Sequence, residues 1–258
     1  MTQKELYEFL NRKIPKTLSA EWDNDGVATM TDGARPVRRV LVALDATDYA
    51  VFKAVEGKFD ALITHHPLLF RGVSSLTEEE TQSRKLISLV KEDIACFSFH
   101  TRLDAVEGGV NDVLCALLGV QNAVPFGPEG EVMCGRVGTL GAPVPFEEFA
   151  QNVANTLGAK AVTCSGKGTV SRVAVLGGEG DDYVKAAKKV GADVFVSGHI
   201  GYHRMLDCAE DGMMLLSVGH YESEAPVCPR LAELVREADG TIEVEILDTQ
   251  AIFAVKGE

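Results

Sequence analysis

Val37-Arg38-Arg39-Val40-Leu41-Val42-Ala43-Leu44 and, further on, Asp60-Ala61-Leu62-Ile63-Thr64-His65-His66-Pro67 are the stretches on which the fold turns. The first reads as a buried strand, apolar at successive positions as in a sheet covered on both faces. Residues 48–57 between them predict a helix closed by Gly57. Residues 61–64 predict a second strand that stops at two histidines and a proline. The pattern is βαβ, and it continues outward. Residues 81–92 read as a helix and residues 94–99 as a strand ending on His100. Gly108-Gly109 opens a helix that finishes near Gly119. Upstream, residues 5–12 form a helix with Leu6, Phe9 and Leu10 on one face, and Trp22-Asp23-Asn24-Asp25-Gly26 is turn-forming.

The stretch 124–130, with two prolines and two glycines, reads as a boundary or long loop. Beyond it the alternation resumes, with a strand over 135–140, a helix over 146–157 and a strand over 161–164. The class is α/β, with a first domain over 1–126, a second over 127–224, and residues 225–258 packing back on the first. A shift of 133 residues lays Val37-Arg38-Arg39-Val40-Leu41-Val42 over Val170-Ser171-Arg172-Val173-Ala174-Val175. Asp48, Ala54, Asp60, Thr64 and His66 then fall on Asp181, Ala187, Asp193, Ser197 and His199. Two readings stand: a chance match between ordinary βαβ units, or two similar halves.

The net charge of −13 excludes a broad basic face for nucleic acid, which needs many cations against phosphate. Six cysteines, widely spaced and partly in apolar runs, read as small core residues in a reducing compartment. The first residues lack an apolar signal region, and no apolar run reaches membrane-spanning length. The expectation is a cytoplasmic protein without a membrane partner.

Four of the six histidines lie in three short segments with polar neighbours: His65-His66, His100 with Asp104, and His220 with Glu222 and Glu224. Each follows a predicted strand, where open α/β sheets build their sites. Imidazole and carboxylate without thiolate suit hard-to-borderline divalent cations. Each segment alone has a plainer explanation: loop histidines bonded to backbone, a turn closed by Asp104, a glutamate capping the helix near Pro229. Adjacent strand residues face opposite ways, so His65 and His66 can share a metal only from the turn after the strand, or bind one metal each. Two divalent ions carry four positive charges, and Asp104 with Glu224 removes two of them. A bridging hydroxide would lower the excess again. Glu224, the longer carboxylate, is the candidate bridge between ions about 3.5–4 Å apart. Glu222 competes for that role. His199 and His203 line the pocket or merely pack at a surface. Arg71 and Arg102 either hold an anionic substrate group or form ordinary ion pairs. Asn111 or Asp112 caps the helix after Gly109.

The segments Thr64-His65-His66-Pro67, His100-Thr101-Arg102-Leu103-Asp104-Ala105 with Gly108-Gly109-Val110-Asn111-Asp112, and Gly219-His220-Tyr221-Glu222-Ser223-Glu224 resemble the motifs of the GTP cyclohydrolase type 2 homologues, the NGG-interacting-factor-three family. Trp22-Asp23-Asn24 and Leu44-Asp45-Ala46-Thr47 match further patches, so the resemblance runs from residue 22 to 224. It implies two similar α/β domains with a dinuclear centre between them, in a ring-shaped homohexamer. Its ligands fall on His65, His66, Asp104, His220 and Glu224, with His100 a ligand or close neighbour. The short form, without a middle insertion, is the one resembled. Arg102 stands where the family usually has Asn, and His199 where an acidic residue is common; both departures bear on substrate preference.

The leading expectation is a metal-dependent hydrolase holding two divalent cations, drawn from zinc, manganese, iron, cobalt or nickel. A bridging hydroxide is the nucleophile and His100 the proton carrier when not committed to metal. The substrate is a small molecule, a purine nucleotide such as GTP if the family's label holds. A phosphoesterase or amidohydrolase using the same ions, and a metal-stabilised scaffold without turnover, are the competing readings.

Overall fold

The computed structural model describes residues 1–250; the last eight, part of the C-terminal segment expected to pack back, lie outside them. The chain begins with α1 (Gln3–Lys13), β1 (Gly26–Thr29), β2 (Arg39–Ala43), α2 (Asp48–Glu56), β3 (Ala61–Thr64), α3 (Thr81–Lys91), β4 (Ala95–Ser98) and the one-turn helix α4 (Thr101–Ala105). There follow α5 (Val110–Leu117), β5 (Gln121–Phe126), β6 (Gly135–Pro145), α6 (Phe146–Leu157), β7 (Thr163–Ser165) and β8 (Thr169–Glu179). Then come α7 (Val184–Lys189), β9 (Val194–His199), α8 (Tyr202–Glu210), β10 (Met214–Ser217), α9 (His220–Glu224), α10 (Cys228–Ala238) and β11 (Glu243–Leu247).

Two compact units result. The first is Met1–Leu103 with Cys228–Thr249, and the second includes Asp104–Val227. The change of unit falls inside α4, not at the Pro- and Gly-rich stretch 124–130. That stretch links β5 to β6, which pair antiparallel with Phe126 opposite Gly135. Its turn residues close a hairpin within the second sheet.

The first sheet runs β1-β4-β3-β2-β11. Its inner strands pair in parallel, and β1 alone is antiparallel. β3 and β4 are buried at every position, as a parallel strand covered on both faces must be. Leu41, Leu62, Leu86 and Leu89 share one side's core with Val51, Phe59 and Ile94. The second sheet runs β5-β6-β8-β9-β10-β7, with β8, β9 and β10 parallel. Its core divides between a cluster on α6, with Phe146, Phe149 and Val153, and one beneath α7 and α8, with Phe195, Ile200 and Met205.

The 133-residue repeat extends to individual hydrogen bonds. Asp60 Oδ2 accepts from the backbone N–H groups of Arg38 and Arg39 at 2.8 and 3.0 Å. Asp193 Oδ2 accepts from those of Ser171 and Arg172 at 2.9 and 2.7 Å. The N–H of Asp60 donates to the Arg39 carbonyl, and that of Asp193 to the Arg172 carbonyl. Arg39 and Arg172 each donate to the carbonyl ending the intervening helix, at Gly57 and Val190. The next residues, Lys58 and Gly191, both take the left-handed conformation. Chance does not reproduce five such features in register, so the two units repeat one βαβ motif. A carboxylate at the mouth of the second strand fixes the start of the first.

All six cysteines are free thiols, five of them buried; burial pushes Cys96 and Cys115 up to about 12. Among the described residues no helix is long and apolar enough to cross a membrane.

Asp60→Ala and Asp193→Ala should each lower unfolding free energy by about 2 kcal/mol, because two backbone donors to a charged acceptor lose it together. The corresponding Asn variants keep an acceptor oxygen and should lose less than half as much. Urea titrations of the four variants measure this; Asn variants as unstable as Ala ones would refute the shared clamp.

Candidate metal centre

β2, β3 and β4 pair in one register, with Ala43 opposite Thr64 and Thr64 opposite Ser98. Two residues beyond each lie Asp45, His66 and His100. The chain bends after β3, where the Thr64 hydroxyl donates to the His66 carbonyl at 2.7 Å and Pro67 prevents continuation. The bend removes the opposed orientation of neighbouring strand residues, so the His65 and His66 rings stand 4.8 Å apart, centre to centre. His100 lies 5.3 Å from His65 and 5.6 Å from His66.

Each ring is held through Nδ1. That of the fully buried His65 meets the Phe99 carbonyl at 2.9 Å. That of His66 meets Asp45 Oδ1 at 2.7 Å, and that of His100 meets Asp23 Oδ1 at 2.9 Å. A carbonyl or carboxylate at Nδ1 fixes the tautomer that presents Nε2 as the electron-pair donor. This is how proteins orient imidazoles for metal. One ligand atom from each of the three lies within 4.8 Å of the others.

The loop 22–25 braces this triad. Asp23 Oδ2 also accepts from the Thr101 N–H at 3.1 Å and the Thr101 hydroxyl at 2.6 Å. Burial pushes the Asp23 carboxyl up. The hydrogen bonds from His100 and Thr101, with the charge on His100, outweigh it and hold it down at about 2. Asp25 accepts from the His100 N–H, from Ser19 and from Lys16, and pairs with Arg102 Nε at 2.6 Å. Burial raises its carboxyl too, and Lys16, Arg102 and the His100 N–H bring it below the usual range.

Arg102 is therefore not a substrate-binding cation. It is fully buried, with Nη1 donating to Asn11 Oδ1 at 2.6 Å and to the Ile14 carbonyl at 3.0 Å, and its guanidinium lies over the Phe99 ring. Its departure from the family's Asn bears on packing beneath the site.

In the second unit, α9 begins after Gly219, which takes φ +103°. It carries His220 and Glu224 one turn apart, with Nε2 and Oε2 at 3.0 Å. Glu224 and Asp104 are both buried, and their carboxylate oxygens lie within 4.8 Å of each other. Like charges that close in a low-dielectric setting repel strongly unless a cation sits between them. The donor set of imidazoles and carboxylates without thiolate thus fits divalent metal ions. Ser223 Oγ accepts from the Gly178 N–H at 3.0 Å and donates to the His220 carbonyl at 2.8 Å, pinning α9 to the end of β8. Asn111 does not cap α5. It is fully buried, accepting from the Gly177 N–H and donating to the carbonyls of Asp104 and Cys134. Asp112 caps the loop at Gly108 and pairs with Arg136.

The chain matches the family model for Duf34/NIF3, NGG1p interacting factor 3, over residues 1–252. The chain belongs to the Duf34/NIF3 family. It is 33% identical over 263 residues to the GTP cyclohydrolase 1 type 2 homolog of Clostridium perfringens, spanning all of this chain and 97% of that protein. The Bacillus cereus protein related to NIF3 shares its fold, with a TM-score of 0.89 over 99% of both chains at 22% identity. Reduced HcgD from Methanocaldococcus jannaschii superposes with a TM-score of 0.82 at 29% identity, covering 96% of this chain and 98% of that one.

Of the residues singled out in this Duf34/NIF3 sequence, His65, His66 and His100 come together in the first unit, and in the second Glu224 lies beside both Asp104 and His220. Glu222 instead accepts from Gln250 at 2.8 Å. His199 and His203 are exposed and belong to no group of three metal-capable side chains among the described residues. Sequence reasoning gave neither Asp23 nor Asp45 a role at the site: Asp23 was read within a turn, and both only within stretches that resemble the family. The equal offset of Asp45 and His66 from paired strand positions was the signal for the second. Gly178 was also missed: at φ +71°, a Cβ there would stand 2.3 Å from Glu224 Oε1.

Gly178→Ala should lower zinc affinity at least tenfold, through displacement of Glu224. Gly191→Ala shares the φ of +71° with nothing near the added methyl, so it carries the backbone strain alone and should leave affinity intact. Isothermal titration distinguishes them; equal losses would show that strain, not the carboxylate, matters.

Asp23 makes a second forecast. Its carboxyl is lowered from 3.8 to about 2, so its stabilisation is full above about pH 4 and is lost as pH falls through about 2. Unfolding free energy of wild type should drop by about 2 kcal/mol more than that of Asp23→Asn across this window. Parallel acid limbs in urea titrations would rule the clamp out.

Proposed function

We propose that this chain is a dinuclear divalent-metal hydrolase. The observation that carries the reading is the triad of His65, His66 and His100, each with Nδ1 engaged by a carboxylate or carbonyl and all within ligand range of one another.

In this reading His65, His66 and His220 would hold the ions as neutral ligands, and Asp104 and Glu224 would supply the compensating negative charge. Two bound ions supply Lewis acidity and lower the pKa of a water molecule toward neutrality. Asp45 and the Phe99 carbonyl fix the two adjacent rings. Asp23 fixes His100, which either completes the ligand set or carries a proton between the attacking water and the leaving group. The name borne by the relatives, GTP cyclohydrolase 1 type 2 homolog, makes a nucleotide such as GTP the first substrate to try. The same reading assigns a ring-shaped homohexamer in the cytoplasm.

Elemental analysis with mass in solution should find about two divalent ions per chain. His65→Ala and Glu224→Gln should each bind one ion or fewer and lose hydrolysis of GTP or of an ester panel by at least a hundredfold, roughly the effect of removing a main catalytic element. A folded protein that binds both ions and hydrolyses nothing in the panel would replace the enzyme with a metal-stabilised scaffold.

A further inference from the structure

Two rings beside His100 contribute little to the core. Trp22 is 64% exposed and Phe70 47%. Their centroids lie 6.1 and 6.2 Å from that of His100 and 6.1 Å from each other. The interplanar angles are 76°, 83° and 65°, so the three rings meet like the walls of a box corner, with one wall an imidazole of the triad.

The backbone under both exposed rings is braced. Trp22 precedes Asp23, which is anchored to His100 and Thr101. Phe70 follows Leu69, whose carbonyl accepts from the Asn24 side chain, so the two loops are tied together. The neighbouring Leu68 carbonyl accepts from Gln82 at 2.7 Å. Large apolar rings on a fixed backbone at the mouth of a polar site are the arrangement that binds ligands.

The chemistry narrows the occupant. Open π faces attract flat rings and cations. A cation would approach ions bound at His100 against their charge. A flat ring stacks without that penalty, and its polar substituents can face the metal ligands. We propose that Trp22 and Phe70 are the stacking platform for a planar heteroaromatic ring in the substrate. The proposal deepens the hydrolase reading and rests on it for the placement of the reacting end.

Trp22 is the chain's one tryptophan, so its emission reports on the platform directly. GMP added to the zinc-loaded full chain should quench it saturably, and ribose 5-phosphate, which lacks the base, should not. Phe70→Ala should weaken GMP binding about fivefold or more, and calorimetry should find a comparable loss for Trp22→Ala, largely recovered in Trp22→Phe. Zinc content should stay at the wild-type value in all three variants. GMP that leaves the emission unchanged, or binds Phe70→Ala as tightly as wild type, overturns the platform. So does a ligand-free Trp22 shielded from acrylamide, since another copy of the chain would then cover it. A chain that takes up none of zinc, manganese, iron, cobalt and nickel yet binds GMP through these rings would sink the metal reading and keep the platform.

Discussion

The parallel register of β2, β3 and β4 is the constraint on which the site depends. Residues two past each paired position form a row across the sheet edge: Asp45, His66, His100. A slip of one residue in either pairing would break the Asp45–His66 bond or carry His100 away from His66. The clamp from Asp60 to the N–H groups of Arg38 and Arg39 fixes where β2 begins relative to β3. A partly buried carboxylate at one end of the sheet thus governs the spacing of imidazoles at the other.

The loop 22–25 solves a different problem. His100 and Arg102 lie one strand end apart and both need anionic partners away from water. Asp23 and Asp25 divide the task. Asp23 takes the imidazole and Thr101, while Asp25 takes the guanidinium, Lys16 and the His100 backbone. An ion pair so buried is weak evidence for net stability, since desolvation offsets much of its attraction. Its consequence is positional. With Asp25 fixed by several donors, Asp23 two residues earlier has little freedom, and neither has the ring it holds.

Much of this was legible in the sequence, for identifiable reasons. β3 and α6 occupy the spans expected because the first is an uninterrupted apolar run and the second has a full amphipathic face. The strands missed are edges. β1 has four residues and starts at a glycine, β5 contains Pro125, and β11 alternates acidic with apolar residues. Edge strands carry weak apolar signals because one side lacks a neighbour. The candidate ligands stood out as clustered imidazoles and carboxylates near strand ends. What holds them did not. Arg102 meets Asp25 and Asn11 from 77 and 91 residues away in the chain, and no local pattern records such a meeting. Gly178 carries no mark in sequence of the carboxylate that forbids it a side chain.

The repeat clarifies how the two units came to differ. Both keep the aspartate clamp, the left-handed residue after the helix and the parallel strand pair. They differ at the strand ends, where the candidate ligands lie. The first unit has His65-His66 after its second strand; the second has Gly198-His199 at the matching positions. Gly198 has no room for a side chain: a Cβ would meet Ser223 Oγ at 2.5 Å and the Gly178 carbonyl at 2.7 Å. That crowding comes from α9, which must lie close to β8 and β9 for Ser223 to pin it and for Glu224 to sit over Gly178. A histidine at 198 would push α9 away and take its buried glutamate with it. Three imidazoles on one unit and a carboxylate pair on the other are therefore linked outcomes of packing: the space that holds His65 in one copy of the motif is occupied in the other by the helix that brings Glu224.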